Sequence, residues 1–314
     1  MKRKVDLSTT TSLTTTYSGT FAGSYISASL LSGKTLGEDL ITVKPNIALK
    51  EVIKKVSTND IVKDASCDFD PTSTVTLTER ILQPEEFQVN LQLCVKDFIG
   101  DWEAAQMGVS PMGRTLPPKF SDFLIAHAAD KVSQKIEQNI WNGTNATAGE
   151  FDGFKTTLLA DADVVDVAGT GSTSANIITE LGKIADAFPS AVYGNEDVII
   201  YLPSNMYRNY IRALGGFGAS GLGAAGYESR GTNQDIQPTF FDGIKVVNVS
   251  GLASDTAVAA QKSNLFFGTG LLADNQEVKV IDMRDIDGSQ NVRVVMRFTA
   301  GIQHGIGSDI VLYS

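Results

Sequence analysis

The chain has 314 residues, 42% of them hydrophobic, enough to bury one large core or two modest ones. Its 36 acidic and 26 basic residues give a formal net charge of −10, which argues against a surface built to wrap nucleic acid, because phosphate neutralisation requires clustered Lys and Arg. No apolar run is long enough for a membrane span. Lys2-Arg3-Lys4 is followed by Ser and Thr and not by a signal-peptide core, so a protein made and kept in a cytoplasm is expected, with no membrane contact. Cys67 and Cys94 are too few for a disulfide framework, and His127 and His304 are poorly spaced to complete a metal site. The cysteines read as buried thiols, and no cofactor or metal is expected.

Residues 1–35 are rich in Ser, Thr and Gly, with Tyr17, Phe21, Tyr25, Ile26, Leu30 and Leu31 scattered among them. Such a segment cannot close a core of its own; it either frays or is ordered by lying along a neighbour. After Pro45, Leu49, Val52, Ile53 and Val56 recur at helical spacing and predict a two-turn helix. From residue 57 to 100 the period changes. Val75 to Thr78 and Phe87 to Leu93 alternate apolar with polar, and Asp70-Pro71 and Gln83-Pro84 are turn chemistry, so a long β-excursion with few apolar residues is expected. It has to lie against the body or another copy.

The longest helical pattern runs from Pro117 to Asn142. Phe120, Leu124, Ala128, Val132, Ile136 and Ile140 recur every fourth residue, broadened by Phe123 and Ile125, while Glu137 and the other charged residues take the remaining faces. Pro117 and Pro118 suit its first turn, and Asn142-Gly143 can end it with a left-handed residue. A helix of this length spans roughly 35 Å and serves as a beam. Beyond it come a helix from Ser174 to Phe188, a buried strand at Val198–Leu202, a helix through Tyr207, Tyr210 and Leu214, and the glycine-rich loop 215–231. Strands at Ile244–Val249 and Leu265–Phe267 complete this α/β unit. The tail returns to alternation, with Val292, Val294, Met296 and Phe298 on one face and Arg293 and Arg297 on the other, and a turn at Asp287-Gly288.

No constellation reads as an enzyme. Gly216 to Gly221 and Gly221 to Gly226 match the GxGxxG dinucleotide pattern, but this loop follows a helix and leads to a strand, the reverse of what a pyrophosphate site requires. Asp282 to Gly288 lacks the bidentate Glu of a calcium loop and reads as a hairpin turn. His127 and His304 have no nucleophile in a recognisable setting and read as hydrogen-bonded structural histidines. Asn142-Gly143-Thr144 and Asn145-Ala146-Thr147 fit glycosylation sequons, which have no meaning without secretion.

In this order of parts the chain resembles the major capsid proteins of tailed double-stranded DNA bacteriophages, the HK97-type fold. Thr74 to Phe87 looks like the returning E-loop strand, Phe120 to Gly143 like the spine helix, and Phe151-Asp152-Gly153-Phe154 like the lead-in to the A-domain. Val198 to Leu214 is similar to the A-domain strand and helix, Asp242 to Val247 to the strand after them, and Glu277 to Ser314 to the terminal strands. Cys67, Thr78-Glu79-Arg80, Cys94 and Trp102-Glu103-Ala104-Ala105 are similar to capsid proteins of Bacteroidota-infecting, crAss-like phages.

The resemblance implies an α+β fold: an N-terminal arm (1–58), an E-loop (59–95), a P-domain (96–165) with spine helix 118–142, an A-domain (166–276) and C-terminal P-domain strands (277–314). It implies a structural, non-enzymatic protein whose partner is itself, in hexamers and pentamers closing an icosahedral shell around DNA held without sequence specificity. It also implies portal, scaffolding and decoration proteins, and assembly in the bacterial cytoplasm. The E-loop is expected over the spine of an adjacent subunit. Gly216, Gly218, Gly221, Gly223 and Gly226 are expected to face the capsomer axis. Glu79 and Arg80, with Phe21 and Tyr25 of the arm, are expected at inter-subunit contacts, a solvated charge pair being the other reading of the first two. Asn291 could stand at one end of the family's covalent cross-link, but residues 67–95 contain no lysine, so no cross-link is expected. No cleavable delta domain is apparent, so a separate scaffold is expected. An encapsulin-type compartment and a nucleotide-dependent enzyme using loop 215–231 are the rival readings.

Overall fold

The computed structural model describes residues 15–17, 33–58, 62, 64, 67, 75–94, 118–214, 240–270 and 278–314. In chain order the first half runs β1 (Thr15–Tyr17), α1 (Lys34–Gly37), β2 (Thr42–Lys44), β3 (Glu51–Thr58), β4 (Val75–Leu82), β5 (Glu85–Cys94), α2 (Pro118–Asn142) and α3 (Phe154–Leu159). The second half runs β6 (Val165–Val167), α4 (Ile177–Asp186), β7 (Val198–Leu202), α5 (Ser204–Ala213), β8 (Phe240–Phe241), β9 (Ile244–Asn248), β10 (Ala257–Gln261), β11 (Leu265–Gly268), β12 (Val278–Asp282), β13 (Asn291–His304) and β14 (Val311–Tyr313).

Two sheets and a ribbon organise these elements. The main sheet is ordered β1-β12-β13-β11-β2, with β5 along β13; the second is β6-β14-β10-β7-β9-β8; β3 and β4 form a two-stranded ribbon among the described residues. The long strand β13 is the axis of the main sheet. It takes β5 over Asn291–Ala300 and β11 over its last residues, because alternating Val292, Val294, Met296 and Phe298 give it a fully buried face while Arg293 and Arg297 stay exposed.

The beam packs across both sheets. From Ile125 onward it buries Ala128, Val132, Ile136, Ile140 and Trp141, in one core with Phe298 and Ile302 of β13 and with Ile199 and Tyr201 of β7. The Trp141 ring lies 4.9 Å from that of Tyr201. The other face of the second sheet buries Ile177, Leu181 and Ile184 of α4 and Met206 and Tyr210 of α5 against Val198, Ile200 and Leu202.

Several expectations are corrected. Residues 51–56, read within the arm as part of a helix, lie in strand β3. Val52, Ile53 and Val56 are β-branched and satisfy their backbone against β4, an option that a helical count of apolar positions does not weigh. Leu265–Phe267 was placed in the α/β sheet, but β11 lies in the main sheet. Its place beside β7 is taken by β10, and the 3-10 turn Lys262–Asn264 carries the chain from one sheet to the other. Val311–Tyr313 was grouped with the P-domain strands and instead lies between β6 and β10. Cys67 is exposed and Cys94 half-buried, so the thiols are free but not both buried. Glu137, assigned to a solvent face of the beam, is buried.

The end of the beam differs too. Neither Asn142 nor Gly143 has a positive φ. Gly143 is required for close approach: a Cβ there would stand 2.2 Å from the Phe151 carbonyl oxygen. Gly251 admits the loop after β9 in the same way, since its Cβ would stand 2.1 Å from the Glu137 carbonyl oxygen.

Candidate assembly surface

The ribbon β3–β4 presents its apolar face outward. The register pairs Val52 with Ile81, Lys54 with Glu79, Val56 with Leu77 and Thr58 with Val75, so these eight side chains share one face. Val56, Leu77 and Val75 are 63%, 61% and 62% exposed, and Val52 and Ile81 are exposed as well. On the opposite face Ile53 and Lys55 are half-buried. A two-stranded ribbon is marginal in water by itself, and a contiguous exposed apolar face is the signature of an interaction surface. The Lys54–Glu79 ion pair, at 3.8 Å in the middle of that face, is too exposed to hold the ribbon together.

Among the described residues, the ribbon is anchored at its root. Leu82 is fully buried, and Gly301 lets β13 pass beneath the Gln83-Pro84 turn, where a Cβ would stand 2.9 Å from the Gln83 carbonyl oxygen. Gln303 Nε2 donates to the Ile81 carbonyl at 3.1 Å. Arg80 forms an ion pair with Asp161 in the segment after α3, and His304 Nε2 is 2.8 Å from the same carboxylate oxygen. Burial pushes the Asp161 carboxyl up, but hydrogen bonds from His304, the Asp163 N–H and Arg80, with the Arg80 charge, outweigh it and bring it down to about 2.

Alongside the beam lies a groove, a cavity of about 330 Å³ floored by Phe87, Val89, Leu91, Val132, Ile136 and Phe298. Lys131 and Lys135 stand on its rim, the latter paired with Glu150. On another side of the beam α1 is strapped down by a buried chain of hydrogen bonds. Thr35 donates from its N–H (3.0 Å) and its hydroxyl (2.6 Å) to Glu137, and Trp141 Nε1 donates to the Thr35 hydroxyl at 2.8 Å. Burial pushes the Glu137 carboxyl up, partly countered by the Thr35 bonds. Thr35→Val would strand both Glu137 and Trp141 without the hydroxyl. A loss of about 2 kcal/mol in urea unfolding is expected, with the spine helix intact by circular dichroism.

The structure brings Arg80 together with Asp161 and His304 within one chain, and leaves Glu79 exposed beside Lys54. Phe21, Tyr25 and the glycines of loop 215–231 lie outside the described residues. The expected hydrogen-bonded character of His304 holds. Asp161 was missed: nothing in the local sequence distinguishes it from its neighbours Asp163 and Asp166, and only the crossing of β13 and β4 gathers its partners. Among the described residues no group of His, Cys, Asp and Glu could hold a metal ion, and no helix is long and apolar enough to cross a membrane.

A long spine helix across a central sheet, an extended ribbon without a core, and a compact α/β unit closed by the last strand define the HK97-type fold of phage capsid proteins. The comparisons agree with that class. A structure of Mycobacterium phage Che8 matches 100% of this chain and 96% of its own, with a TM-score of 0.54 at 13% identity. The capsid of an empty GTA particle matches 100% and 94%, with a TM-score of 0.57 at 11% identity. A virus-like particle from Pyrococcus furiosus matches 93% and 97%, with a TM-score of 0.54 at 10% identity. No family model and no curated protein sequence matches the chain.

Proposed function

We propose that the chain is the shell subunit of a bacteriophage capsid, assembling with copies of itself into hexamers and pentamers of an icosahedral shell around double-stranded DNA. The observation that carries this reading is the ribbon β3–β4, whose apolar face is exposed on a subunit with the fold of capsid proteins. A second copy would cover that face with the apolar groove beside its spine helix, and heterologous contacts of this kind close into rings when the rotation closes. The acidic balance suits a container that has to release its contents, since walls that bound phosphate strongly would retain them.

On this reading the chain divides into arm, E-loop, P-domain and A-domain in the order expected from sequence, with three shifts: the E-loop ribbon begins at Glu51, Leu265–Gly268 joins the P-domain sheet and Val311–Tyr313 joins the A-domain sheet. Glu79 would meet a neighbour from the middle of the ribbon face. Arg80 would contribute from the root, and Phe21, Tyr25 and loop 215–231 would lie against other subunits and the capsomer axis. Portal, scaffolding and decoration proteins would complete the particle in the host cytoplasm, and the residues around Thr78-Glu79-Arg80 support a Bacteroidota-infecting, crAss-like origin. Electron microscopy of the expressed protein tests the reading. Closed shells, or DNA-filled particles from infected cells, are expected. Shells filled with protein cargo would favour a compartment like the Pyrococcus furiosus particle, and a monomer at high concentration would refute a shell role.

A further inference from the structure

The root of the ribbon carries a device that the shell reading does not require. Arg80 on β4 and His304 at the end of β13 converge on one oxygen, Asp161 Oδ2. His304 is 1% exposed, and its buried Nδ1 has no hydrogen-bond partner among the described residues. Because Nε2 faces a carboxylate, the neutral ring carries its proton there, and Nδ1 is left as a bare lone pair. A second proton would have to go to Nδ1, where no acceptor is in place, and it would put two cations on one carboxylate. The charged groups facing the ring are Arg80 from β4 and Asp161 from the segment after α3, where Asp163 follows and donates its N–H back to Asp161. The neighbouring amides of Gln303 and Asn264 are neutral and are engaged by backbone N–H groups, those of His304 and Ile306.

Burial, the largest influence, pushes the His304 imidazolium down, and the Arg80 charge adds to this against the opposing pull of Asp161. A histidine held below its ordinary value stabilises the folded arrangement above the unfolded pKa of about 6.5, and that stabilisation is lost as pH falls through the folded value. Asp161, at about 2, stays charged throughout that window. When His304 takes the second proton, two cations compete for one carboxylate oxygen. Arg80 can leave at lower cost, because its side chain is 28% exposed while that of His304 is enclosed.

We propose that Arg80, Asp161 and His304 form an acid-released latch that fixes the β3–β4 ribbon against the body of the subunit: protonation of His304 at Nδ1 displaces Arg80 from Asp161 and frees the ribbon root. The Gln303–Ile81 hydrogen bond and the Lys44–Glu51 ion pair then remain beside the buried Leu82. The latch acts within one chain. It rests on the shell reading only for its consequence, a change in the angle at which the apolar face meets a neighbour.

Hydrogen–deuterium exchange of the purified full chain at pH 7.5, 6.5 and 5.5, corrected for intrinsic exchange chemistry, tests this. In the wild type, opening of residues 53–56 and 78–82 should increase between pH 6.5 and 5.5 by no more than about fivefold, the ceiling for uptake of one proton by a solvated histidine with its ordinary pKa of about 6.5, while residues 128–141 do not change. His304→Gln keeps a donor toward Asp161 that does not titrate, and should remain protected at both pH values. Asp161→Asn, with no charge to hold Arg80, should be open already at pH 7.5. The latch is refuted if the wild-type ribbon is equally protected at pH 6.5 and 5.5, or if His304→Gln keeps the acid response. Should His304→Gln fail to fold, Asp161→Asn decides: ribbon protection equal to wild type at pH 7.5 overturns the proposal. Failure to form particles would count against the shell reading and leave this exchange result standing.

Discussion

Gly143→Ala is expected to destabilise the subunit by more than about 3 kcal/mol and to drive most of the expressed chain into the insoluble fraction. The added methyl would stand 2.2 Å from the Phe151 carbonyl and 2.7 Å from that of Asn139, and both obstacles are backbone. A rotamer change cannot relieve them. The segment Phe151–Phe154 would have to move away, and with it the Gly153 N–H bond to the Gly143 carbonyl and the Trp141–Phe154 ring contact at 5.4 Å. Gly182→Ala is the matched control, because it lies within α4 with no atom near the new methyl, and it should stabilise by up to about 1 kcal/mol. Urea midpoints of the two variants should move in opposite directions; a wild-type midpoint for Gly143→Ala would show that the end of the spine is not packed as described.

The second large effect is expected on assembly and not on folding. Val56 and Leu77 are cross-strand neighbours on the exposed face of the ribbon, so Val56→Glu with Leu77→Glu should change the unfolding midpoint by less than about 0.5 kcal/mol each. At an interface between copies the same changes forfeit roughly 1.5–3 kcal/mol of burial per side chain and add two unpaired carboxylates to a dry contact, at every such contact in a shell. Sedimentation should find the double variant as soluble subunits or small oligomers under conditions where the wild type forms particles. Normal particles from the double variant would remove the ribbon from the list of assembly contacts.

The elements that were legible from sequence are those in which one face is buried along a regular period. The beam shows itself through Ala128, Val132, Ile136 and Ile140, and β13 and β5 through strict alternation, because burial on a single face leaves a pattern. The ribbon defeats that logic. Its apolar side chains are exposed, so the inference from spacing to burial put Leu49–Val56 in a helix, whereas the β-branched residues and the cross-strand partners Val75, Leu77 and Ile81 decide for a strand. The buried all-apolar strands β7 and β11 are recognisable as strands, but their sheet is not, since neither face carries a polar mark to orient it. Glu137 and Asp161 could not be picked out, because what distinguishes each is a partner about a hundred residues away or more, Thr35 in one case and His304 in the other.

The placement of β14 bears on when the body of the chain is closed. Val311–Tyr313 is inserted between β6 and β10, with all three residues buried and the Tyr313 hydroxyl bonded to Glu180 at 2.7 Å. Until those residues have been made and inserted, the sheet begun near residue 165 has a gap in its interior and Glu180 lacks the donor that helps keep it charged. On the shell reading, a chain would therefore expose its ribbon before its body was closed, and lattice growth would draw on subunits whose second sheet had already taken up β14.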